Sequence, residues 1–119
     1  MTISETAVEQ FFDRYAAALV ARDARAVADL YAVPSLILFP GRSLAVTDAK
    51  QTEEFFASSW GQYDGVDTMT KTLSIMGTGP GTIWADVVWS YGGEPREHFC
   101  YQLVDGPDGP QIAVLTLRD

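Results

Sequence analysis

The chain has 119 residues, of which 47% are hydrophobic and 20% are charged, and these proportions indicate a folded globular protein rather than a disordered one. Its formal net charge of -8 disfavours binding to nucleic acid and to anionic membranes, because both require clustered lysine and arginine. Its one cysteine, Cys100, excludes an internal disulfide, and no cluster of cysteine and histidine suggests a zinc site.

The length predicts a single domain, 1–119, that buries its own core. The first residues lack the basic and apolar regions of a secretory signal, and no apolar run is long enough to span a membrane. We therefore expect a cytoplasmic protein.

The first predicted element is a helix from about Glu5 to Ala21. Its apolar residues recur at the helical period and place the phenol of Tyr15 on the buried face. Capping-box spacing makes Thr2 or Thr6 the candidate residue at its start.

A shorter second helix follows, with Asp23 as its predicted N-cap and Tyr31 on its apolar face. Pro34 ends this helix, because the residue before a proline is biased away from helical backbone. Two short strands, 35–39 and 42–46, come next.

A third helix is predicted to open at Thr47 or Asp48 and to end at Gly61, with Phe56 and Trp60 on its apolar face. Beyond it the apolar period changes to about two residues, which is typical of strands. Four strands are predicted, with turns rich in glycine between them, over 69–75, 83–91, 97–104 and 112–117.

Helices followed by a run of strands predict an α+β protein. The simplest packing lays the helices across one face of a strongly curved antiparallel sheet. Large apolar residues occupy both faces of the predicted strands, so we expect the outer face to be covered by a second subunit in a homodimer.

This order of elements resembles that of the nuclear-transport-factor-2-like superfamily, which includes the SnoaL-like polyketide cyclases and the steroid Δ-isomerases. The segments 14–19 and 97–99, Arg-Tyr-Ala-Ala-Ala-Leu and Glu-His-Phe, resemble isomerase motifs in particular. The resemblance implies a cystatin-like fold, in which the curved antiparallel sheet forms a cone with the N-terminal helices across its concave face. It also implies a small-molecule pocket in the cone and dimerisation through the outer sheet face.

The same resemblance implies roles for individual residues. Tyr15 lies where the isomerases have the tyrosine of their oxyanion hole, and Glu97 lies where they have a second donor, an aspartic acid. Tyr31 matches a supporting tyrosine, whereas Phe56 replaces another one and lacks its hydroxyl. Phe39 falls where the isomerases keep the aspartate that shuttles the proton, and phenylalanine cannot accept a proton.

The residues themselves leave alternatives open. Tyr15 is either a hydrogen-bond donor to a ligand or a core tyrosine bonded to the backbone. Glu97 alternates in phase with Phe99, which favours an inward position and a pKa raised by desolvation. In the other interpretation, Glu97 pairs with Arg96 or Arg42 in solvent.

Three polar residues are predicted on the outer face of the sheet, where they are not catalytic. His98 and Cys100 alternate with Glu97 and point the opposite way, and Cys100 has no basic neighbour that would activate a thiol. Asp86 shares that face and is expected to pair with a basic residue.

We therefore predict a protein that binds a small hydrophobic ligand, carrying a carbonyl or phenol group, with Tyr15 and Glu97 as catalytic groups of an isomerase- or cyclase-type site. The predicted ligand-binding residues are Tyr31, Phe39, Phe56, Trp60, Val87, Trp89 and Phe99. No metal or other cofactor is predicted, because metal-ligand spacing and a glycine-rich phosphate loop are both missing. The alternatives are a non-catalytic dimeric accessory domain, whose cone is filled by its own aromatic residues, and a protein-binding adaptor.

Overall fold

The computed structural model describes residues 3–118, which form three α-helices, one 3-10 turn and one six-stranded curved sheet. The helices are α1 (Glu5–Val20), α2 (Ala24–Asp29) and α3 (Ala49–Ala57), and the 3-10 turn is Trp60–Tyr63. The strands are β1 (Tyr31–Phe39), β2 (Arg42–Val46), β3 (Thr70–Gly79), β4 (Thr82–Tyr91), β5 (Glu94–Gly106) and β6 (Gly109–Leu117). This confirms the predicted α+β class. None of the helices within the described range is long and apolar enough to cross a membrane.

The strands are ordered β2-β1-β6-β5-β4-β3 across the sheet. The meander from β3 to β6 is antiparallel, as predicted, whereas β1 runs parallel to β6. The sheet is therefore mixed. After β1 the chain forms β2, α3 and the antiparallel strands β3 to β5. Strand β6 then lies between β5 and β1, where it runs parallel to β1.

Helix α1 packs across the concave face of the sheet through its apolar stripe. The ring of Phe12 lies 4.9 Å from that of Tyr101 and 6.2 Å from that of Trp89, measured between centroids. The stripe is buried as the helical period predicts, and Phe12 is fully inaccessible to solvent.

The start of α1 differs from the prediction. Ser4 is its N-cap, and the Ser4 side chain accepts a hydrogen bond of 3.1 Å from the backbone N–H of Ala7. Thr6 lies inside the helix, so it does not cap it, and Thr2 lies outside the described residues. Serine is a somewhat better N-cap than threonine, but the prediction relied on capping-box spacing, which Ser4 lacks because Ala7 lies three residues after it.

Tyr31 lies on strand β1 and not on α2, which ends at Asp29 before Pro34 is reached. The backbone N–H of Ile112 donates a 2.9 Å hydrogen bond to the carbonyl of Leu30, and Tyr31 pairs with Ile112. Pairing with β6, about 80 residues further along, extends this strand toward its start. A contact so distant in sequence leaves no local signal.

Asp48, one of the two predicted start residues, is the N-cap of helix α3 and forms a complete capping box with Gln51. The helix ends at Ala57, earlier than expected, and the hydroxyls of Ser58 and Ser59 each donate a 2.8 Å hydrogen bond to the carbonyl of Phe55. These hydroxyls satisfy the helix end, after which the chain continues as the 3-10 turn.

The hairpin between β4 and β5 turns at Gly92 and Gly93, whose φ angles of 66° and 80° are in the left-handed region that glycine adopts without strain. Its register places Glu97 opposite Trp89. The turn therefore delivers the Glu97 carboxyl to the inner face of the sheet.

Candidate functional site

A cavity of about 320 Å³ lies between the concave face of the sheet and the helices. Its wall is mainly aromatic and aliphatic, and four tyrosines contribute phenol groups to it. The lining residues include Tyr15, Leu19, Phe39, Phe55, Phe56, Ser59, Tyr63, Trp89, Tyr91, Arg96, Glu97, Phe99, Tyr101, Leu115 and Leu117. Its volume lies at the lower end of the range of known ligand pockets, and a few polar groups interrupt an otherwise apolar wall.

The carboxyl of Glu97 is held by two tyrosines from different parts of the chain. The Tyr91 hydroxyl, from β4, donates a 2.8 Å hydrogen bond to Oε2 of Glu97. The Tyr63 hydroxyl, from the 3-10 turn, donates a 3.2 Å hydrogen bond to Oε1. Each carboxyl oxygen therefore has one phenol donor, which fixes the orientation of the group.

Burial raises the pKa of Glu97 above its ordinary value, although the hydrogen bonds from Tyr91 and Tyr63 act in the opposite direction. Burial, together with the bond to Glu97, raises the pKa of Tyr91 to about 12. The Tyr91 phenol consequently stays protonated near neutral pH and remains a hydrogen-bond donor to Glu97.

Tyr15 and Tyr31 form a second polar pair, with 2.7 Å between their hydroxyl oxygens. Both are almost completely buried, and burial raises the pKa of each phenol well above its ordinary value. Only Tyr15 of this pair borders the cavity. Tyr31 lies behind it, where its hydroxyl can orient that of Tyr15.

A third polar pair joins β4 to β5, because Nε1 of Trp89 donates a 2.9 Å hydrogen bond to the Tyr101 hydroxyl. Burial raises the pKa of Tyr101 well above its ordinary value. Both side chains line the cavity, and their polar atoms satisfy each other inside the aromatic core.

Phe39, the last residue of β1, contributes a purely apolar part of the cavity wall. Its ring stacks on that of Phe55 at 5.9 Å and meets that of Phe99 edge-on at 6.0 Å. Of the described residues that line the cavity, Glu97 alone carries a carboxyl. Among these residues, a proton transfer that depends on a carboxylate would therefore use Glu97.

The cavity brings together six of the nine predicted site residues: Tyr15, Phe39, Phe56, Trp89, Glu97 and Phe99. Tyr31 lies behind Tyr15, as described above. Val87 is fully buried in the core beside the cavity. Trp60 misses the wall because α3 ends before it, and its ring packs against those of Phe56 and Tyr63 at 6.4 and 6.3 Å.

Five polar lining residues were not predicted: Ser59, Tyr63, Tyr91, Arg96 and Tyr101. Tyr91 and Tyr101 alternate with predicted residues on β4 and β5, so the strand period carried the signal needed to include them. Tyr63 comes from a short turn without a periodic pattern. Its position depends on tertiary contacts that the sequence does not display.

The outer face of the sheet holds a separate cluster around Asp86. Oδ1 of Asp86 lies 2.7 Å from Nε2 of His98 and 2.5 Å from Nη1 of Arg118. Asp86 thus pairs with basic groups across strands, and His98 faces away from the cavity. Within residues 3–118, no three acidic, histidine or cysteine side chains are grouped so that they could hold a metal ion.

Comparison with known proteins places this fold in a wider group. The sequence model of the family described as NTF2-like protein (DUF6841) matches residues 4–116. No curated protein matches the chain significantly.

Solved structures share the fold at low sequence identity. A candidate ketosteroid isomerase from Shewanella frigidimarina NCIMB 400 has a TM-score of 0.74 at 16% identity, over 96% of this chain and 96% of that one. A cystatin-like protein of unknown function from Nostoc punctiforme PCC 73102 has a TM-score of 0.72 at 8% identity, over 98% and 93%. A candidate aromatic ring hydroxylase from Novosphingobium aromaticivorans has a TM-score of 0.69 at 15% identity, over 94% and 85%.

Proposed function

The chain belongs to the NTF2-like protein family DUF6841, and we propose that it binds a small hydrophobic molecule with a carbonyl or phenol group and exchanges a proton with it through Glu97. The observation that carries this proposal is the Glu97 carboxyl, held by Tyr63 and Tyr91 at the wall of an otherwise aromatic cavity. The reaction class is proton transfer beside a carbonyl, as in an isomerase or cyclase. Similar structures named as an isomerase and a hydroxylase share only the fold, so they do not fix the substrate.

Glu97 serves in both protonation states. As a carboxylate it accepts a proton from the ligand, and as a carboxylic acid it then donates a hydrogen bond to the oxyanion that has formed. The raised pKa of Glu97 favours this exchange, because a buried carboxylate is a stronger base than an exposed one.

Tyr15 supplies the second donor to the oxyanion. If the Tyr31 hydroxyl donates to Tyr15, the proton of Tyr15 is left to point into the cavity that this residue lines. A phenol with a raised pKa keeps its proton and therefore polarises a carbonyl without being ionised itself.

The accessory-domain alternative requires a cone that is filled by its own aromatic side chains. The cavity of about 320 Å³ argues against that alternative, since ligand pockets begin near ~300 Å³.

The test is a titration with 2-naphthol, whose absorbance reports both binding and ionisation. We expect saturable binding and a bound spectrum shifted toward the naphtholate, because Glu97 takes the proton and Tyr15 stabilises the oxyanion. Glu97→Gln should keep the binding and lose the shift, since an amide accepts no proton. Absence of saturable binding would refute the proposal.

Glu94→Gln is the matched control. Glu94 lies on the same strand, but it is exposed and pairs with Arg96 at 3.5 Å. This variant should bind naphthol and shift its spectrum as the wild type does. If the Glu94 and Glu97 variants behave alike, the carboxyl in the cavity is not the proton acceptor.

A further inference from the structure

Arg22, in the turn between α1 and α2, has an unusual backbone conformation. Its φ is 53°, in the left-handed region, and no other non-glycine residue among those described has a positive φ. Glycine or asparagine normally occupies such a position at the end of a helix, because a side chain crowds the backbone there. A residue held in this conformation suggests that its side chain has a specific role.

The Arg22 guanidinium crosses from the helical layer to the segment between the 3-10 turn and β3. Nη2 donates a hydrogen bond to the carbonyl of Tyr63, and Nη1 and Nη2 each lie 3.4 Å from the carbonyl of Val66. Nη1 also donates a 2.7 Å hydrogen bond to the carbonyl of Val20. One side chain thus ties the end of α1 to both ends of segment 63–66.

Tyr63 connects this contact to the cavity. Its carbonyl accepts the Arg22 bond, while its hydroxyl donates to Oε1 of Glu97 at 3.2 Å. The Tyr63 ring is buried, and its centroid lies 5.8 Å from that of Tyr91, the other donor to the carboxyl. A displacement of the Tyr63 backbone therefore changes the hydrogen bonding of Glu97.

We propose that Arg22 is a positioning residue for this site, which fixes Tyr63 against Glu97 and so sets how readily Glu97 gives up its proton. The proposal rests on the proposed function for its consequence, since proton exchange through Glu97 is what Arg22 would tune. Arg22 itself does not line the cavity, so it acts through Tyr63 and not on the ligand.

Several titratable or charged groups surround the Glu97 carboxyl from different elements. Tyr15 faces it from α1, Tyr63 from the 3-10 turn, Tyr91 from β4, and Arg96 and Tyr101 from β5. In the described part of the chain, Tyr63 is the member of this set that Arg22 contacts. We therefore expect removal of Arg22 to change the pKa of Glu97 through Tyr63.

The experiment measures the titration of Glu97 in the ligand-free protein by NMR, with ¹³C-labelled glutamate. Arg22→Gly is the variant of choice, because glycine adopts a φ of 53° freely and the turn is preserved. Tyr63→Phe should raise the pKa of Glu97, since it removes a bond to the charged form. Arg22→Gly should raise it by at least half as much.

Two controls separate positioning from simple loss of charge. Arg25→Ala removes an exposed arginine from α2 and should leave the Glu97 titration unchanged. In a Tyr63→Phe background, Arg22→Gly should cause no further rise. An unchanged Glu97 titration in Arg22→Gly, or a full additional rise in the Tyr63→Phe background, would overturn the inference.

The outcome is separable from that of the naphthol titration. The NMR measurement needs no ligand, so a protein that binds no naphthol can still show the Arg22 effect on Glu97. Conversely, a protein that binds and ionises naphthol can show a Glu97 titration that is indifferent to Arg22. In that case the proposed function stands and the positioning role of Arg22 is rejected.

Discussion

The Tyr91 hydroxyl donates a 2.8 Å hydrogen bond to Oε2 of Glu97 across the β4–β5 hairpin, and this is the shorter of the two phenol contacts to that carboxyl. Both bonds favour the ionised carboxylate, whereas burial in the aromatic cavity favours the neutral acid. Burial and the two hydrogen bonds therefore shift the pKa of Glu97 in opposite directions, and burial has the larger effect. Small changes in the surrounding donors should shift its proton affinity measurably.

The titration of Glu97 should make the free energy of unfolding fall as the pH rises. The pKa of Glu97 is raised from an ordinary value of 4.5, so between the unfolded and folded pKa values the folded protein binds more protons than the unfolded chain. Over that interval the free energy of unfolding falls with increasing pH. Glu97→Gln should remove this decline, as measured by urea unfolding from acid to neutral pH. The exposed Glu94→Gln variant should retain it, and identical pH profiles for wild type and Glu97→Gln would contradict the prediction.

The two phenol donors should contribute unequally to the pKa of Glu97. Tyr91→Phe should raise that pKa more than Tyr63→Phe does, because the Tyr91 bond is 2.8 Å long and the Tyr63 bond 3.2 Å. NMR titration of the Glu97 carboxyl in the two variants measures the difference. The reverse order would mean that these distances do not describe the solution geometry.

Tyr15→Phe should weaken the binding of 2-naphthol by about 1–3 kcal/mol, because a buried oxyanion is left short of one donor. Its effect on folding should be smaller, about 0.5–1.5 kcal/mol, since only the bond to Tyr31 is lost. Binding by absorbance and unfolding by urea separate the two effects. Unchanged affinity would remove Tyr15 from the site.

The outer face of the sheet should support self-association, which the sequence predicted and which remains a prediction. It exposes Met76 and Trp84 at 50% and 36% of their surfaces. Trp84→Lys should therefore shift the protein toward monomer in sedimentation velocity, whereas Ala17→Lys, on the exposed face of α1, should not. A wild type that is monomeric at all concentrations tested would exclude the dimer.

The sequence was most informative wherever local chemistry decides the structure. Asp23 and Asp48 cap α2 and α3, as predicted, because an aspartate before an apolar helical pattern satisfies free backbone N–H groups. Alternation along β5 placed Glu97 on the inner face with Phe99, since side chains two residues apart share a face.

It was least informative wherever the outcome depends on distant partners. Tyr31 joins β1 through its pairing with Ile112, and the side chain of Arg22 reaches a segment about 40 residues away. The identification of Tyr63 as a site residue required both the end of α3 and that arginine contact. Neither the end of α3 nor the Arg22 contact produces a recognisable pattern in a short stretch of the sequence.

The cavity itself yields the last prediction. Leu115 lines it, whereas Leu103 is fully buried in packed core on the neighbouring strand. Leu115→Trp should place its added ring in the open volume, so naphthol binding is lost and stability changes little. Leu103→Trp has no such space and should cost about 1–3 kcal/mol through overpacking.

Thermal unfolding and naphthol titration of this matched pair distinguish an open cavity from a filled one. If both tryptophan variants are destabilised equally, the space beside Leu115 is not open in solution. The accessory-domain interpretation would then regain support. If only Leu103→Trp is destabilised and only Leu115→Trp stops binding, the ligand occupies the space into which Glu97 points.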